Sequence, residues 1–390
     1  MLKRKRGSGR SGRLCATVAG VIAVNAAASY SRGASFLPGD LVVVQIGATG
    51  SSTPLANTGT AAFLEEIKPS GGAPVQTLAL PTTASGVNQP LTISGTAGSE
   101  GELSLSANGQ YLVLAGYDVG VGGTTQTTST IGLINAAGVI DTSTTTTLLS
   151  GNNTRGAASS DGTQLWVTGP KGLASITADT TSGGSNIDSS ENMDGLAVVP
   201  ASVSPSGSNA LYGSSGKSPH GIIQFASALP TSTTTATNLT GMSSTSSPAP
   251  FAFFFANPTT LFVADGSLGI QEWTSGGTST WSEVATYNGS GGSFVGLTGV
   301  EVGSTVNLYA TTGSGGWIAD NDLLSIPFTF TSGTTGVGTF GSPVVLAVAS
   351  GDSGFSGVAF APTAAVPEPA SFGLLALGAM GLFGRRRGRD

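Results

Sequence analysis

The sequence predicts an all-β body built from a repeated two-strand unit, and three observations support this prediction. Charged residues make up only 9% of the 390 residues, against about 25% in average proteins, while 60 glycines and many Ser/Thr tracts separate short apolar runs. A strand, a tight turn and a second strand recur five times along the chain. Hydrophobic residues account for 39% of the chain, which is enough for a real core. The chain is therefore folded, and its composition suits short strands joined by many turns.

The first 28 residues have the three-part pattern of a secretory signal peptide. Six basic side chains occur before residue 14, the apolar run 14–24 follows, and small residues occupy 25–29. We predict a signal helix cleaved after Ala28, with Ala26 and Ala28 as the small residues of the cleavage site; cleavage after Ala34 or a permanent signal anchor is the alternative. Cys15, the only cysteine, lies inside the apolar run, so the processed protein would have neither disulfides nor thiol chemistry.

The charge of the body limits its partners. Between residues 35 and 366 there are nineteen acidic and four basic side chains, a net charge of −15. A body with this charge repels nucleic acids and anionic membrane surfaces. We therefore expect no nucleic-acid partner, and a solvated acidic surface that keeps the protein soluble.

The five repeated units have the spacing of β-propeller blades. Their turns are separated by intervals of 53, 45, 51 and 46 residues, close to the ~40–50 residues of a four-stranded blade. Asn-Gly and Asp-Gly dipeptides supply the positive φ angles of tight hairpins. The turns are centred on Asn108, Asp161, Ser206, Asn257 and Gly303.

The two ends of the body complete one further blade. "FSGVAFAPT" (355–363) resembles the first strand of a unit without a second, and "PGDLVVVQIG" (38–47) resembles a second strand without a first. Pairing them would close the ring and leave no free sheet edge. The sequence thus predicts a six-bladed β-propeller over residues 36–363, closed by its N- and C-terminal strands, with room for a seventh blade within 38–98. A β-sandwich or a β-helix is the alternative.

Few residues of the body indicate catalysis. His220 is the only histidine, which excludes a multi-histidine metal site, and we interpret it as a solvated loop residue. The carboxylate pairs Glu65/Glu66 and Asp320/Asp322 lie on a strand with alternating faces and in one loop, so neither requires an acid–base role. We therefore predict no catalytic residues.

Binding signals in the body are equally weak. Segments 192–195 ("NMDG") and 319–324 ("ADNDLL") supply oxygen ligands that calcium would accept, although turn capping explains them as well. We predict no cofactor, with calcium as the one candidate metal. Aromatic side chains are expected to pack in the core, and the tryptophans would stack on sugars only if they shared a surface. These residues are Phe251, Phe253, Phe254 and Phe255, and Trp166, Trp273, Trp281 and Trp317.

The C-terminal end is a short apolar segment followed by arginines. Residues 370–383 are fourteen uncharged positions, fewer than the roughly 20 of a bilayer span. Arg385, Arg386 and Arg387 follow, as the positive-inside rule requires on the cytoplasmic side. We predict a C-terminal apolar helix that forms a short, weak transmembrane segment at 370–384.

Val366, Pro367, Glu368 and Pro369 lead into the apolar run, and the three arginines follow it. With these three parts in order over residues 364–390, the tail resembles the PEP-CTERM sorting signal of Gram-negative bacteria that make extracellular polysaccharide. The resemblance implies export by the secretion machinery, transient insertion in the inner membrane, cleavage by an exosortase-type enzyme, and release to the cell surface or extracellular matrix. Separately, "SSDGTQLWVTG" (159–169) and "SPSGSNALYG" (204–213) resemble the strand signature of secreted YVTN-type and lactonase-like propellers.

The sequence therefore predicts an exported cell-surface or matrix protein. Its propeller would be non-enzymatic and would present loops for binding, associated with biofilm or exopolysaccharide, with an extracellular polysaccharide as the candidate ligand. The alternative is a secreted propeller hydrolase or lyase acting on a polysaccharide or a lactone. That alternative requires a cluster of carboxylates at one end of the propeller channel.

Overall fold

The structure is a computed structural model that describes residues 33–218, 220–242, 249–289, 291–313, 318–333 and 336–365. In these ranges the chain forms 27 β-strands and no α-helix. Six sheets of four or more strands form the blades, and one two-stranded ribbon lies beside them. No helix in the described ranges is long and apolar enough to cross a membrane. The predicted signal helix and the predicted apolar helix lie outside the described residues.

The first three blades contain the N-terminal half of the body. Blade 1 also receives the last strand of the chain. The two-stranded ribbon pairs β2, which lies between β1 and β3, with β5, which lies between β4 and β6. Their strands are β1 (Leu41–Ile46), β2 (Gly59–Thr60), β3 (Ala62–Ile67), β4 (Gln76–Ala79), β5 (Ile93–Ser94), β6 (Leu103–Leu105), β7 (Tyr111–Tyr117), β8 (Ser129–Asn135), β9 (Ile140–Thr146), β10 (Ala157–Ser159), β11 (Gln164–Gly169), β12 (Gly172–Thr177) and β13 (Ser185–Asp188).

The other blades follow the same order from the channel outward. Blade 6 has two strands in its outer position, β25 and β26, which pair with different parts of β24. The strands are β14 (Met193–Val199), β15 (Ala210–Ser215), β16 (Gly221–Phe225), β17 (Ala236–Asn238), β18 (Pro250–Asn257), β19 (Thr260–Asp265), β20 (Gly269–Thr274), β21 (Ser282–Tyr287), β22 (Phe294–Val302), β23 (Thr305–Thr312), β24 (Asp322–Phe330), β25 (Gly338–Phe340), β26 (Val344–Val348) and β27 (Gly354–Phe360).

Blade 1 closes the ring as the sequence predicts. Its strand order is β27-β1-β3-β4, so the C-terminal strand takes the inner position and the N-terminal strand lies beside it. The pairing is antiparallel, with Leu41 opposite Phe360 and Val42 opposite Ala359. All six residues of β1 are buried. The two ends of the body therefore hold each other by sheet hydrogen bonds and by a shared core.

The propeller has six blades, and the seventh for which the sequence left room does not form in the described residues. The long segment between β1 and β6 supplies β3 and β4 of the closing blade, and its remaining length forms the ribbon. The predicted all-β propeller is confirmed, and neither a sandwich nor a β-helix forms in the part of the chain that the structure describes. Residues of this segment, Asn57 and 96–99, line a pocket at one end of the channel.

Glycine in the hairpin turns explains why the repeated units fold as they do. Gly109 and Gly162 follow Asn108 and Asp161 and have φ angles of 71° and 88°. L-residues seldom adopt this region, whereas glycine does so at no steric cost. Asp161 also accepts bonds from the backbone and hydroxyl of Thr163, at 2.9 and 2.7 Å, which fixes the turn.

Hydroxyl groups connect neighbouring blades close to the channel. Ser214 accepts a hydrogen bond from the backbone N–H of Gly195 (2.7 Å) and donates to the carbonyl of Phe251 in the next blade (2.8 Å). Thr311 does the same between Gly296 (2.8 Å) and Ser356 (2.6 Å). Each hydroxyl satisfies two buried backbone groups that the strand bulges leave without a ladder partner. This use of hydroxyls explains part of the Ser/Thr content of the chain.

The outer strands differ in exposure more than the sequence predicts. β21 in blade 5 is largely exposed, as expected for an edge strand. β9 in blade 2 is mostly buried, although it consists almost entirely of threonine and serine. Blade 3 covers it, because Thr144 and Thr145 accept backbone bonds from Asp179 and Ser182. The threonine side chains of β9 are therefore part of the protein interior, where their hydroxyls form hydrogen bonds.

Candidate functional site

The channel through the propeller has two chemically different ends. We call the end at which the innermost strands begin the upper mouth, and the end at which they finish the lower mouth. Because strands alternate in direction, the loops that join successive blades and the loops between second and third strands both open on the upper mouth. A polar pocket of about 620 Å³ lies there, and an apolar cavity of about 440 Å³ opens toward the lower mouth.

Arg155 is the centre of the upper mouth. It lies just before β10, and its guanidinium Nη1 is 2.7 Å from Oδ1 of Asp194 at the start of β14. The same nitrogen donates to Oδ1 of Asn192 (2.8 Å) and to the carbonyl of Met193 (3.3 Å). The arginine and aspartate side chains are only 14% and 7% exposed. One cation from blade 3 therefore holds the first turn of blade 4 and neutralises its carboxylate.

Glu100 lies beside this pair and has its own partners. Its Oε1 accepts a hydrogen bond from the Tyr117 hydroxyl (2.6 Å), and its Oε2 accepts one from the backbone of Ser94 (3.1 Å). The Tyr117 oxygen accepts in turn from the N–H of Thr154 (3.1 Å). This chain of bonds joins blade 2 to the segment that carries Arg155, which fixes the arginine in place.

Burial gives three carboxyls of this cluster raised pKa values. Burial, and to a smaller extent the nearby Asp194 charge, raise the pKa of Glu102 to about 8. Burial also raises the pKa of Asp194 to about 7 against the opposing effect of Arg155. The pKa of Glu100 rises to about 7 for the same reason, although its hydrogen bonds from Tyr117 and Ser94 and the charge of Arg155 oppose the change. The cluster therefore exchanges protons near neutral pH.

Glu102 is the least satisfied member of the cluster. It is 7% exposed, and its Oε1 has no hydrogen-bond partner among the described residues. It belongs to the lining of the apolar cavity, whereas Asp194 lines the upper pocket. The two coupled carboxyls therefore lie where the polar and apolar parts of the channel meet.

The rim of the upper mouth is rich in amides. Gln126 and Asn153 come from two different loops, and the Gln126 Nε2 donates to the Asn153 Oδ1 at 2.6 Å. Gln126 has a φ of 63°, a backbone conformation that costs energy for a residue with a side chain and is enriched at functional sites. The Nδ2 groups of Asn153 and Asn192 bond no other described residue. They are therefore available to a ligand.

Two further residues complete the polar pocket. The predicted loop residue His220 lines it, and its Nδ1 is buried without a partner among the described residues. The ring of Phe251 lies over Gly266, where a Cβ would be 2.2 Å from the ring, so the glycine makes room for it. The pocket thus combines amides, a compensated ion pair, an imidazole and an aromatic ring.

The carboxylate pairs noted in the sequence do not form this site. Glu65 and Glu66 lie on β3, two strands away from the channel edge of blade 1. Glu66 is fully buried and accepts bonds from Leu37 N–H and from the Gln76 amide (2.7 Å). Burial raises the pKa of Glu65. Glu66 thus connects β3 to β4 and to the segment before β1, away from the channel.

The two predicted calcium segments have structural partners instead. In the first, Arg155 binds both Asn192 and Asp194. In the second, the Asn321 amide bonds the backbone of Thr312 and Phe355, which joins blade 6 to blade 1. Nowhere in the described ranges do three His, Cys, Asp or Glu side chains come together as a possible metal site. Neither segment offers a built calcium cage.

The aromatic residues divide between core and channel. Trp166 is 1% exposed and donates to the carbonyl of Pro230 (2.7 Å), and Trp281 is buried against Phe255. These two tryptophans pack in the core, and Trp317 lies outside the described residues. The prediction for the phenylalanines is wrong for two of the four, because Phe251 and Phe254 are only partly buried and line the two ends of the channel.

Sequence reasoning missed the cluster of Glu100, Glu102, Arg155 and Asp194, apart from Asp194 as a candidate calcium ligand. The sequence does contain a pattern that indicates this cluster. Each residue lies at or just before the first strand of consecutive blades, and such positions meet at one end of a propeller channel. Charged residues at these equivalent places in a chain with 9% charged residues could have been recognised.

The family comparison concerns the tail. A family model described as the PEP-CTERM protein-sorting motif matches residues 365–387. This chain carries that sorting motif. The motif implies an exported protein of Gram-negative bacteria that is first anchored in the membrane, then processed by an exosortase and associated with the surface. The predicted motif residues 366–369 and 385–387 lie outside the described residues, as do Ala26 and Ala28 of the predicted signal-peptide cleavage site.

Solved structures similar to the body are themselves diverse. A glucose dehydrogenase is 14% identical, with a TM-score of 0.44 and coverage of 74% of this chain and 99% of the other. The Cps50 (Swd1) β-propeller domain of Myceliophteria thermophila is 11% identical (TM-score 0.36, coverage 60% and 67%), and the Neurospora crassa Pan2 WD40 domain is 7% identical (TM-score 0.38, coverage 85% and 99%). No curated protein is detectably similar to this chain in sequence. Both enzymes and non-enzymes occur among these propellers, so their likeness does not decide whether this chain is an enzyme.

Proposed function

We propose that this protein is a non-enzymatic, surface-exported propeller that binds neutral sugar units of an extracellular polysaccharide at its upper mouth. The observation that carries the proposal is the composition of the polar pocket. Planar amides both donate and accept hydrogen bonds, as sugar hydroxyls do. The exposed part of Phe251 offers an apolar face to a sugar ring.

The electrostatics of the pocket favour a neutral ligand. Oδ1 of Asp194 lies 2.7 Å from Nη1 of Arg155 and offsets the guanidinium charge where this carboxyl is ionised, at a pH above its pKa of about 7. The body also carries a net charge of −15, which repels polyanions. Uronate-rich or sulfated polymers are therefore expected to bind more weakly than neutral ones.

The sorting motif supports the same proposal from the opposite end of the chain. A surface-associated protein meets the extracellular matrix, of which polysaccharide is a main component. The predicted limits, a signal peptide at 1–28, a body at 36–363 and a sorting signal at 364–390, leave the upper mouth in the processed product. We infer that the biological role is adhesion to, or organisation of, that matrix.

Binding measurements with the amide variants test this proposal. The probes are dextran, galactomannan and the neutral polysaccharide purified from the host, with alginate as the polyanionic comparison. We expect the double change Asn153→Ala/Asn192→Ala to weaken binding about tenfold, since two hydrogen bonds of about 0.5–1.5 kcal/mol each are lost. Isothermal titration calorimetry measures the difference.

The matched control is Gln110→Ala, an amide in a hairpin turn at the lower end of blade 2. It should bind as the unchanged protein does. Unaltered binding by the double variant, or no binding of any neutral probe at millimolar concentration, would contradict the proposal.

A hydrolase or lyase is the second candidate, and one observation favours it. The enzyme alternative requires carboxylates at one end of the channel, and Glu100, Glu102 and Asp194 lie there with pKa values of about 7 to 8. A group that is protonated near neutral pH can act as a general acid. Turnover of a bound polysaccharide, lost on Glu102→Gln, would replace the non-enzymatic proposal with this one.

A further inference from the structure

The chain leaves the propeller at the rim of the lower mouth. After β27 ends at Phe360, the N–H of Thr363 donates to the carbonyl of Gly109 (2.8 Å), and the Thr363 hydroxyl donates to the same oxygen (3.3 Å). Gly109 and Phe360 both line the cavity of about 440 Å³. Whatever follows residue 365 therefore starts beside this cavity.

The lower half of the channel is an apolar surface with no cover among the described residues. Val300 is 37% exposed and Phe254 is only partly buried, and both line the cavity. The ring of Phe254 lies over Gly299, where a Cβ would be 2.8 Å away, so the glycine lets the ring lie along the channel wall. Concave apolar surfaces of this kind usually receive another apolar group. The apolar residues that line the cavity toward this mouth are Leu105, Val203, Phe254, Leu297, Val300 and Phe360.

The sequence that follows the exit has matching properties. Residues 370–383 carry no charge and include four leucines and two phenylalanines. The six residues 364–369 can extend to roughly 20 Å, enough to turn back from the rim into the mouth. A tether this short gives an effective concentration of about millimolar or higher, so even a weak apolar contact would be occupied.

Charge supports the same placement. Arg385, Arg386 and Arg387 follow the apolar run, and the body carries a net charge of −15. Glu301 is exposed and lines the same cavity, and Asp161 is exposed in a hairpin turn at the same end of blade 3. Cations that follow a segment seated in the mouth would therefore meet acidic side chains at its rim.

We propose that, in the uncleaved chain, the apolar segment 370–383 docks in the lower mouth of the propeller's own channel. The body then shields the segment from water and from other chains until the segment inserts in the membrane. Removal of the tail by processing opens the lower mouth. The docked and inserted states compete for one apolar segment, so docking would govern when the sorting signal becomes accessible.

Cysteine cross-linking in the full-length chain tests this proposal. Cys15→Ser removes the only cysteine, so Val300→Cys and Leu374→Cys add the only reactive pair. We expect mild oxidation to form an intramolecular disulfide whose rate does not change with protein concentration. The control pair is Val121→Cys with Leu374→Cys, because Val121 is 63% exposed in the loop between β7 and β8 at the opposite end. The first pair should react at least tenfold faster than the control.

Other occupants of the mouth give different outcomes, and each overturns the proposal. Equal rates for the two pairs would show that the tail has no preferred place. A disulfide between two molecules at Val300, with a rate that rises with concentration, would assign the mouth to a second copy. In a separate Val300→Cys variant that keeps Cys15, a disulfide between these two cysteines would assign it to the N-terminal apolar run. Val300 and Val121 are both exposed, so we expect neither substitution to unfold the protein. Thermal melts of all variants check this.

Discussion

Replacing Gly357 by alanine is expected to destabilise the body by about 3 kcal/mol or more. A Cβ at this position would lie 2.1 Å from the backbone nitrogen of Leu103 and 2.6 Å from the carbonyl oxygen of Gly101. Both atoms belong to backbone, so a side-chain rotation cannot relieve the clash. Gly357 also donates its N–H to Gly101 at 3.0 Å, the bond that joins β27 to the start of blade 2. The variant must separate the closing strand from its neighbour.

Gly120→Ala is the matched control for this change. Gly120 lies in the loop after β7, and a Cβ there would meet only the carbonyl oxygen of Thr82, at 3.4 Å. Its effect should stay within about 0.5 kcal/mol. Chemical denaturation followed by tryptophan fluorescence measures both free energies of unfolding. Equal stability of the two variants would show that the contact between β27 and blade 2 is not as tight as described.

The free energy of unfolding is expected to fall as pH rises from 5 to 8. In the folded protein the pKa of Glu102 is about 8, and those of Glu100 and Asp194 are about 7. In the unfolded chain these groups have pKa values of about 4. The folded state therefore keeps protons that the unfolded state releases. Stability is complete below the unfolded pKa values and is lost as pH rises toward the folded ones.

The expected loss is on the order of 8 kcal/mol across this range, since each carboxyl that stays protonated only in the folded protein costs about 1.4 kcal/mol per pH unit, and each of the three does so over about two to three pH units. Glu102→Gln is always neutral, so we expect it to flatten the dependence by on the order of 3 kcal/mol. Urea titrations at several pH values measure the slope. Glu301→Gln, a change at an exposed glutamate, should keep the slope of the unchanged protein. A stability that is constant or rises with pH would mean that the carboxyls are better solvated than described.

The repeated architecture was predictable because local physics specifies it. The Asn108-Gly109 and Asp161-Gly162 dipeptides select tight hairpins, and the spacing between turns matches four strands. The closing blade was also predictable, because two unpaired strand patterns at the ends of the body complete one another. In both cases the informative residues are neighbours in sequence or lie at the ends of one sheet.

The channel chemistry was harder to predict because it depends on contacts between blades. Glu102, Arg155 and Asp194 lie in three blades, and each appears in sequence as a single charge in a turn. No feature of the nearby sequence distinguishes Arg155 from Lys171, yet the Arg155 side chain is only 14% exposed and pairs with Asp194, whereas Lys171 lies in an exposed turn. The difference in exposure follows from the ring of blades, which places the equivalent strand ends of successive blades close together.

The bulges in the innermost strands are a second feature that the sequence pattern does not predict. A run such as "FAFFFAN" reads as uniform core, but the register of β18 shifts between Pro250 and Ala252. That shift directs Phe251 to the upper mouth and leaves Phe253 and Phe255 in the core between blades. Bulges depend on the partner strand, so they cannot be placed from a single strand's sequence.

The most direct test of the account is the C-terminus of the protein that reaches the cell surface. Mass spectrometry of the protein from its native host, with cell-bound and released material separated, gives that end directly. If the motif at 365–387 acts as a sorting signal, the released protein should end near Pro367, Glu368 and Pro369 and should lack Arg385 to Asp390. Released protein that still contains Arg385 to Asp390 would contradict sorting and processing at this motif.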